Sequence, residues 1–149
     1  MTARVDVLGL PDPNVRGDFY AGVVLKRGIA WVLDVALIFI VAILLVPFTA
    51  FTAVFFLPAF MVFVGFIYRW VTIARGSSTW GMRIAGVELR QMDGSPMNGA
   101  SAFMHTLGYS VSFAVFPLQL ISVAMMLMTD RKQGLTDHLI GTAALNRRL

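Results

Sequence analysis

The chain has 149 residues, of which 58% are hydrophobic and 13% charged, with a formal net charge of +4. Soluble domains carry about a quarter charged residues, so the polar surface here is too small for a water-soluble globule, and the length suits one domain. The absence of cysteine excludes disulfides, thiolate metal sites and cysteine nucleophiles.

Residues 1–20 read as a flexible cytoplasmic arm. Asp6, Asp12, Asp18, Pro11 and Pro13 interrupt any apolar run, so the pattern of a cleavable signal peptide is missing. The first apolar block is then expected to act as an uncleaved signal anchor. No Asp, Glu, Lys or Arg occurs in residues 35–68. As one helix that stretch would be about 51 Å long, against a hydrocarbon core of about 30 Å, so it must fold back. Two membrane helices are expected, over about 28–46 and 51–73, with the turn between Pro47 and Thr52.

Residues 76–99 form a polar connector. Gly76-Ser77-Ser78-Thr79-Trp80-Gly81 reads as a loop, Val87-Glu88-Leu89-Arg90 as a short strand, and Asp93-Gly94 as a turn. The pattern predicts a small β-hairpin on the membrane surface. The third apolar block, about 100–128, is also uncharged, and Pro117 interrupts it. Two readings stand: a block that turns near Pro117 and returns as a hairpin or re-entrant pair, or one kinked helix that exports the tail. A short helix is expected over about 135–141.

The basic residues flank the apolar blocks rather than gathering into one patch, which argues against nucleic acid as a partner. Arg4, Arg16, Lys26 and Arg27 lie in or beside the arm. Arg69, Arg75, Arg83 and Arg90 lie around the connector, and Arg131, Lys132, Arg147 and Arg148 in the tail. The loop near Pro47 has none. The positive-inside rule therefore places arm, connector and tail in the cytoplasm. The predicted class is an all-α membrane protein: a small bundle of three to four transmembrane or re-entrant helices with a short hairpin-like cytoplasmic connector.

Asp34 is the most informative residue. An Asp deep in an apolar helix costs on the order of 3 kcal/mol to insert, so it should face protein, a polar partner or water. It either binds a cation or titrates in a proton-linked step, or it tethers helices. Arg69, His105, Gln119 and the tail are its candidate partners. Arg27, seven residues earlier, either snorkels to headgroups or pairs with an acid of the tail. Gly76 and Gly81 have the spacing of a phosphate loop, but Met82 and Arg83 stand where Lys and Ser or Thr are required, which argues against nucleotide binding and for a tight connector. His138 beside Asp137 lacks a third ligand for a metal. No catalytic, cofactor or metal-binding set is visible, and the chain is not expected to be an enzyme.

The run Lys26-Arg27-Gly28-Ile29-Ala30-Trp31-Val32-Leu33-Asp34 resembles the first-helix motif of the RDD family of bacterial membrane proteins. Gly76-Ser77-Ser78-Thr79-Trp80-Gly81-Met82-Arg83 resembles the glycine-rich connector of that family, and Gln133-Gly134-Leu135-Thr136-Asp137-His138-Leu139-Ile140-Gly141-Thr142 its C-terminal signature. Residues 21–149 would form the family's single membrane domain. The family is named for one arginine and two aspartates. Arg27 and Asp34 take the first two places, Asp137 the third, and Asp130 is a second tail acid that fits the pattern. Met82, the neighbourhood of His105, and Thr136 depart from it, where lysine, arginine and histidine are common.

The resemblance implies a multi-pass protein of the bacterial inner membrane with a cytoplasmic N-terminus. It further implies transport, cation/proton exchange in some members, with a small cation as partner. Three or four short helices enclose a path poorly, which points to a homo-oligomer. The other reading is a non-transporting partner of a membrane protein, or a lipid-interacting scaffold.

Overall fold

A computed structural model describes residues 9–147. Arg4, Asp6 and Arg148 lie outside the described residues. Helix α1 spans Val23–Leu45 and starts after Gly22, whose φ of 69° turns the chain into the helix. It therefore begins before Lys26 and Arg27 and carries both in its first two turns. A 3₁₀ turn at Val46–Thr49 follows, and Ala50 and Phe51, both in the left-handed region, reverse the chain. The loop satisfies much of its own polarity: Thr49 Oγ1 donates to the Val46 carbonyl at 2.7 Å and accepts from Ala53 N at 3.2 Å. Such local closure leaves fewer of the turn's polar groups in need of outside partners. Helix α2, Leu57–Gly76, returns, with Pro58 in its first turn where the missing N–H does no harm.

The connector is more ordered than a loop. Thr79 caps the short helix α3, Trp80–Ala85, by accepting from Met82 N. Strand β1, Val87–Gln91, pairs antiparallel with β2, Thr142–Asn146, with Leu89 opposite Ala144. This corrects the expected hairpin. Beyond the Asp93-Gly94 turn the returning chain makes one bridge, Arg90 to Pro96. Pro96 lacks an N–H and cannot extend a ladder. The tail supplies the strand instead.

Helix α4, Gly99–Ala114, opens with a capping box formed by Asn98 and Ser101. Val115 leaves helical geometry at φ −110°, ψ 86°, and α5, Phe116–Met128, departs at 118° with Pro117 in its first turn. The third block therefore breaks and turns sharply near Pro117. Its arms of 16 and 13 residues are roughly 24 and 20 Å long, each short of the bilayer core. Helix α6, Leu135–Ile140, and β2 follow and return to the start of α1. Lys26 Nζ donates to Asn146 Oδ1 at 2.7 Å, and Asn146 Nδ2 donates to the carbonyls of Asp18 and Ala21.

The principal apolar core lies at this polar end, where Val23, Ile73, Met82, Val87, Leu89 and Ala144 are buried together. Leu10 and Tyr20, from the segment read as the arm, are buried against Ala143 and Leu145. Burial pushes the Tyr20 phenol pKa up. The other end is the reverse: Phe48 and Phe55 are 85% and 83% exposed. Both α1 and α2 are long and apolar enough to cross a membrane, and the bent α4–α5 pair is a third candidate. The all-α membrane class is thus the observed one, with a small sheet added.

Candidate functional site

Two carboxylates, each 1% exposed, sit in the polar half of the bundle. Asp34 projects from the middle of α1. Its Oδ1 accepts from Tyr68 Oη at 2.7 Å and from Gly81 N at 2.9 Å, and its Oδ2 accepts from Thr79 Oγ1 at 2.6 Å. Arg69 Nη1 lies 3.7 Å from Oδ2, outside hydrogen-bond distance. Asp34 therefore fastens α1 to α2 and to the connector. Gly81 permits the approach: a Cβ there would run into the Ala30 carbonyl and the Asp34 carboxylate.

Asp137 is served differently. Its Oδ2 receives Arg27 Nη1 at 2.6 Å and Gly134 N at 3.0 Å. Its Oδ1 lies 3.2 Å from His105 Nε2 and accepts from Thr142 Oγ1 at 2.9 Å. Burial pushes the Asp137 carboxyl pKa up, but Arg27 and His105 together outweigh it and hold the group below the usual carboxylate range. Asp137 joins α1, α4, α6 and β2. Arg27, left between snorkelling and pairing by the sequence, pairs with a tail acid.

The two clusters share one cavity of about 410 Å³. Arg27, Asp34, Arg69, His105 and Asp137 line it, and Phe116, Leu120, Val123 and Met126 of α5 add apolar lining. Two guanidiniums face two carboxylates, so the cavity is charge-balanced while His105 is neutral. Among the described residues no three His, Asp or Glu side chains gather closely enough to hold a metal.

The other named residues stand apart. Asp130 is exposed at the end of α5, outside the cluster. Gln119 lines the cavity without contacting Asp34. His138 turns its Nδ1 to the Gly134 carbonyl at 2.9 Å, not to Asp137. Sequence reasoning missed Tyr68, Thr79, Gly81 and Thr142 as partners, and offered His105 to Asp34 where the fold places it on Asp137. Gly81 carried one signal, its place in the glycine-spaced run 76–83. The hydroxyls carried none, because only the folded chain brings them to a carboxylate.

Comparison with curated proteins and with solved structures finds no match. A family model described as the RDD family matches residues 21–141, from just before α1 to the end of α6, and so covers Arg27, Asp34 and Asp137. Matched over most of its length, the chain belongs to the RDD family.

Proposed function

We propose that this protein is a transport component of the cation/proton-exchange kind, seated in a bacterial inner membrane with its polar end in the cytoplasm. One observation carries the reading. Two buried carboxylates, two guanidiniums and an imidazole line a single cavity in a chain with two to three candidate spans. Intramembrane ionisable groups are costly and mark ion or proton pathways by default. The cavity is charge-balanced, so a small cation enters only by displacing an arginine from its carboxylate or by exchange with a proton. In this reading the proton passes through the His105–Asp137 contact, where an imidazole nitrogen lies 3.2 Å from a carboxylate oxygen. The basic residues around α1, the connector and the tail support the cytoplasmic orientation.

Three or four short helices enclose a path poorly, and within the apolar window of α2 only 11% is buried, which is surface open to lipid and to a second copy of the chain. The test is sodium- or pH-driven flux in proteoliposomes. Wild type is expected to exchange, and Asp34→Asn and His105→Gln to lose most of the flux. Equal flux from wild type and Asp34→Asn defeats the reading.

A second reading is favoured by a specific observation: Asp34 already accepts three hydrogen bonds and Asp137 three, besides the His105 contact. Groups so fully engaged also serve as latches in a non-transporting partner or scaffold protein. That reading predicts that removing both charges of the Arg27–Asp137 pair preserves assembly better than removing either one. Non-rescue in the double-mutant cycle counts against it.

A further inference from the structure

Arg69 lies in α2, 5% exposed, and among the described residues its side chain donates no hydrogen bond. Its Nε is fully buried without a partner. The nearest carboxylate, Asp34, is 3.7 Å away and already occupied by Tyr68, Thr79 and Gly81. The guanidinium also lies over the face of Tyr109, its carbon 3.9 Å from the ring centre. A guanidinium presents five donors in a planar fork suited to oxyanions. Leaving such a group buried and unbonded is expensive, so its environment calls for an acceptor.

The surroundings say what that acceptor is attached to. Besides the polar cavity, Arg69 lines a second one of about 360 Å³, between α1, α2 and α4. Val35, Ile38, Val62, Phe66 and Phe113 make its walls almost wholly apolar. That volume falls within the roughly 300–1,000 Å³ typical of small-molecule sites. Val62, on its rim, is 67% exposed and belongs to a helix long and apolar enough to cross a membrane. Trp31, Tyr109 and Phe113 form the wall between the two cavities. Trp31 stacks on Phe113 with ring centres 5.8 Å apart, and Trp31 Nε1 donates to Tyr109 Oη at 2.8 Å.

From these features we infer that the second cavity is a binding site for an anionic amphiphile. Its oxyanion bonds Arg69, and its apolar chain lies along Val35, Ile38, Val62 and Phe66 and enters from the bilayer. The oxyanion is a carboxylate on a free fatty chain or a phosphate on an anionic lipid; both present the same acceptors to the fork. This site stands whether or not the polar cavity conducts ions.

The test uses the full chain carrying Trp70→Phe and Trp80→Phe, which leaves Trp31 as the reporter, in phosphatidylcholine nanodiscs. Dibromostearate is titrated and tryptophan quenching is read. Saturable quenching is expected, weakened at least about tenfold by Arg69→Gln, the scale of losing a charge-assisted bond. Dibromostearyl alcohol, which has the chain without the charge, is expected to quench without saturation. A brominated phosphatidylglycerol arm distinguishes the sources, since the tighter of the two anions names the headgroup. Ala114→Phe fills the apolar cavity while leaving Arg69 in place and Trp31 the sole tryptophan, and it keeps the test decisive where Arg69→Gln does not fold. It too is expected to weaken saturable quenching at least about tenfold. Equal quenching by acid and alcohol, or an unchanged titration in Ala114→Phe, overturns the proposal.

Discussion

Asp34 and Asp137 are equally buried, yet the chain satisfies them by different means. Around Asp34 the direct partners are neutral, two hydroxyls and one backbone N–H, and the nearest charge stands off at 3.7 Å. Around Asp137 a guanidinium bonds directly at 2.6 Å, with an imidazole beside it. Asp34 gathers donors from α2 and the connector that follows it. Asp137 brings the tail back to the first helix. The difference teaches that one carboxylate fixes a local unit while the other closes the whole bundle. A direct buried ion pair should fail abruptly when one member is removed, whereas a carboxylate held by several neutral donors should weaken in steps.

Four measurements separate the two carboxylates. The largest effect is expected from Arg27→Ala, which strands a buried carboxylate and should lower stability by about 3–5 kcal/mol. Reversible unfolding in mixed micelles, followed by circular dichroism, reads this. If Arg27→Ala costs no more than loss of a single neutral donor, the distinction between the two sites collapses. Next comes Gly81→Ala, expected to cost about 1–3 kcal/mol because the new methyl group displaces the Asp34 carboxylate or α1. The same assay should show α3 melting away from α1, read as faster amide exchange around Thr79 and Gly81. Tyr68→Phe removes one neutral hydrogen bond of several and should cost only about 0.5–1.5 kcal/mol.

The smallest effect near neutrality is that of pH. Asp137 is held below the usual carboxylate range in the folded chain, so it binds protons less readily there than when unfolded. Its contribution is complete above the unfolded value of about 3.9 and erodes as the pH falls below that toward the depressed folded value. The melting temperature should therefore hold steady on mild acidification and drop below about pH 4. Asp137→Asn should flatten that drop. An equally steep drop in that variant assigns it to other groups.

The sequence made much of this legible because membrane insertion leaves a coarse signature. Two long uncharged blocks revealed the helices, and the excess length of residues 35–68 required a reversal that Ala50 and Phe51 execute. Pro117 marked the break in the third block, although the angle came only from the structure. Arg27 and Asp34 stood out because charges in apolar helices need partners. The sequence assigned them separate candidate partners, and they do serve different sites. The distance along the axis, about 10 Å, is enough for each to meet its own neighbours.

What stayed hidden was non-local. Strand β1 was visible in the alternation of Val87 and Leu89, but its partner, Thr142–Asn146, is rich in alanine and has no strong strand pattern. Arg69, near the end of the second apolar block, was one of several candidate partners for Asp34. Only the folded chain reveals it buried beneath Tyr109 with its donors unmet. Tyr68 and Thr79 carry no charge whose cost would draw notice, so their selection by Asp34 is a product of packing.

The bond between Arg27 and Asp137 joins positions 110 residues apart. At a synthesis rate of roughly 5–20 residues per second, the ribosome delivers the acid on the order of 5–20 s after the base. Throughout that interval the opening helix carries a cation with no permanent counterion. Headgroup phosphates, water or a biogenesis factor must neutralise it meanwhile. Maturation is then an exchange of counterions, in which a temporary escort of Arg27 yields to its own carboxylate. The timing of that handover is a physical property of the nascent chain, written in the distance between two residues.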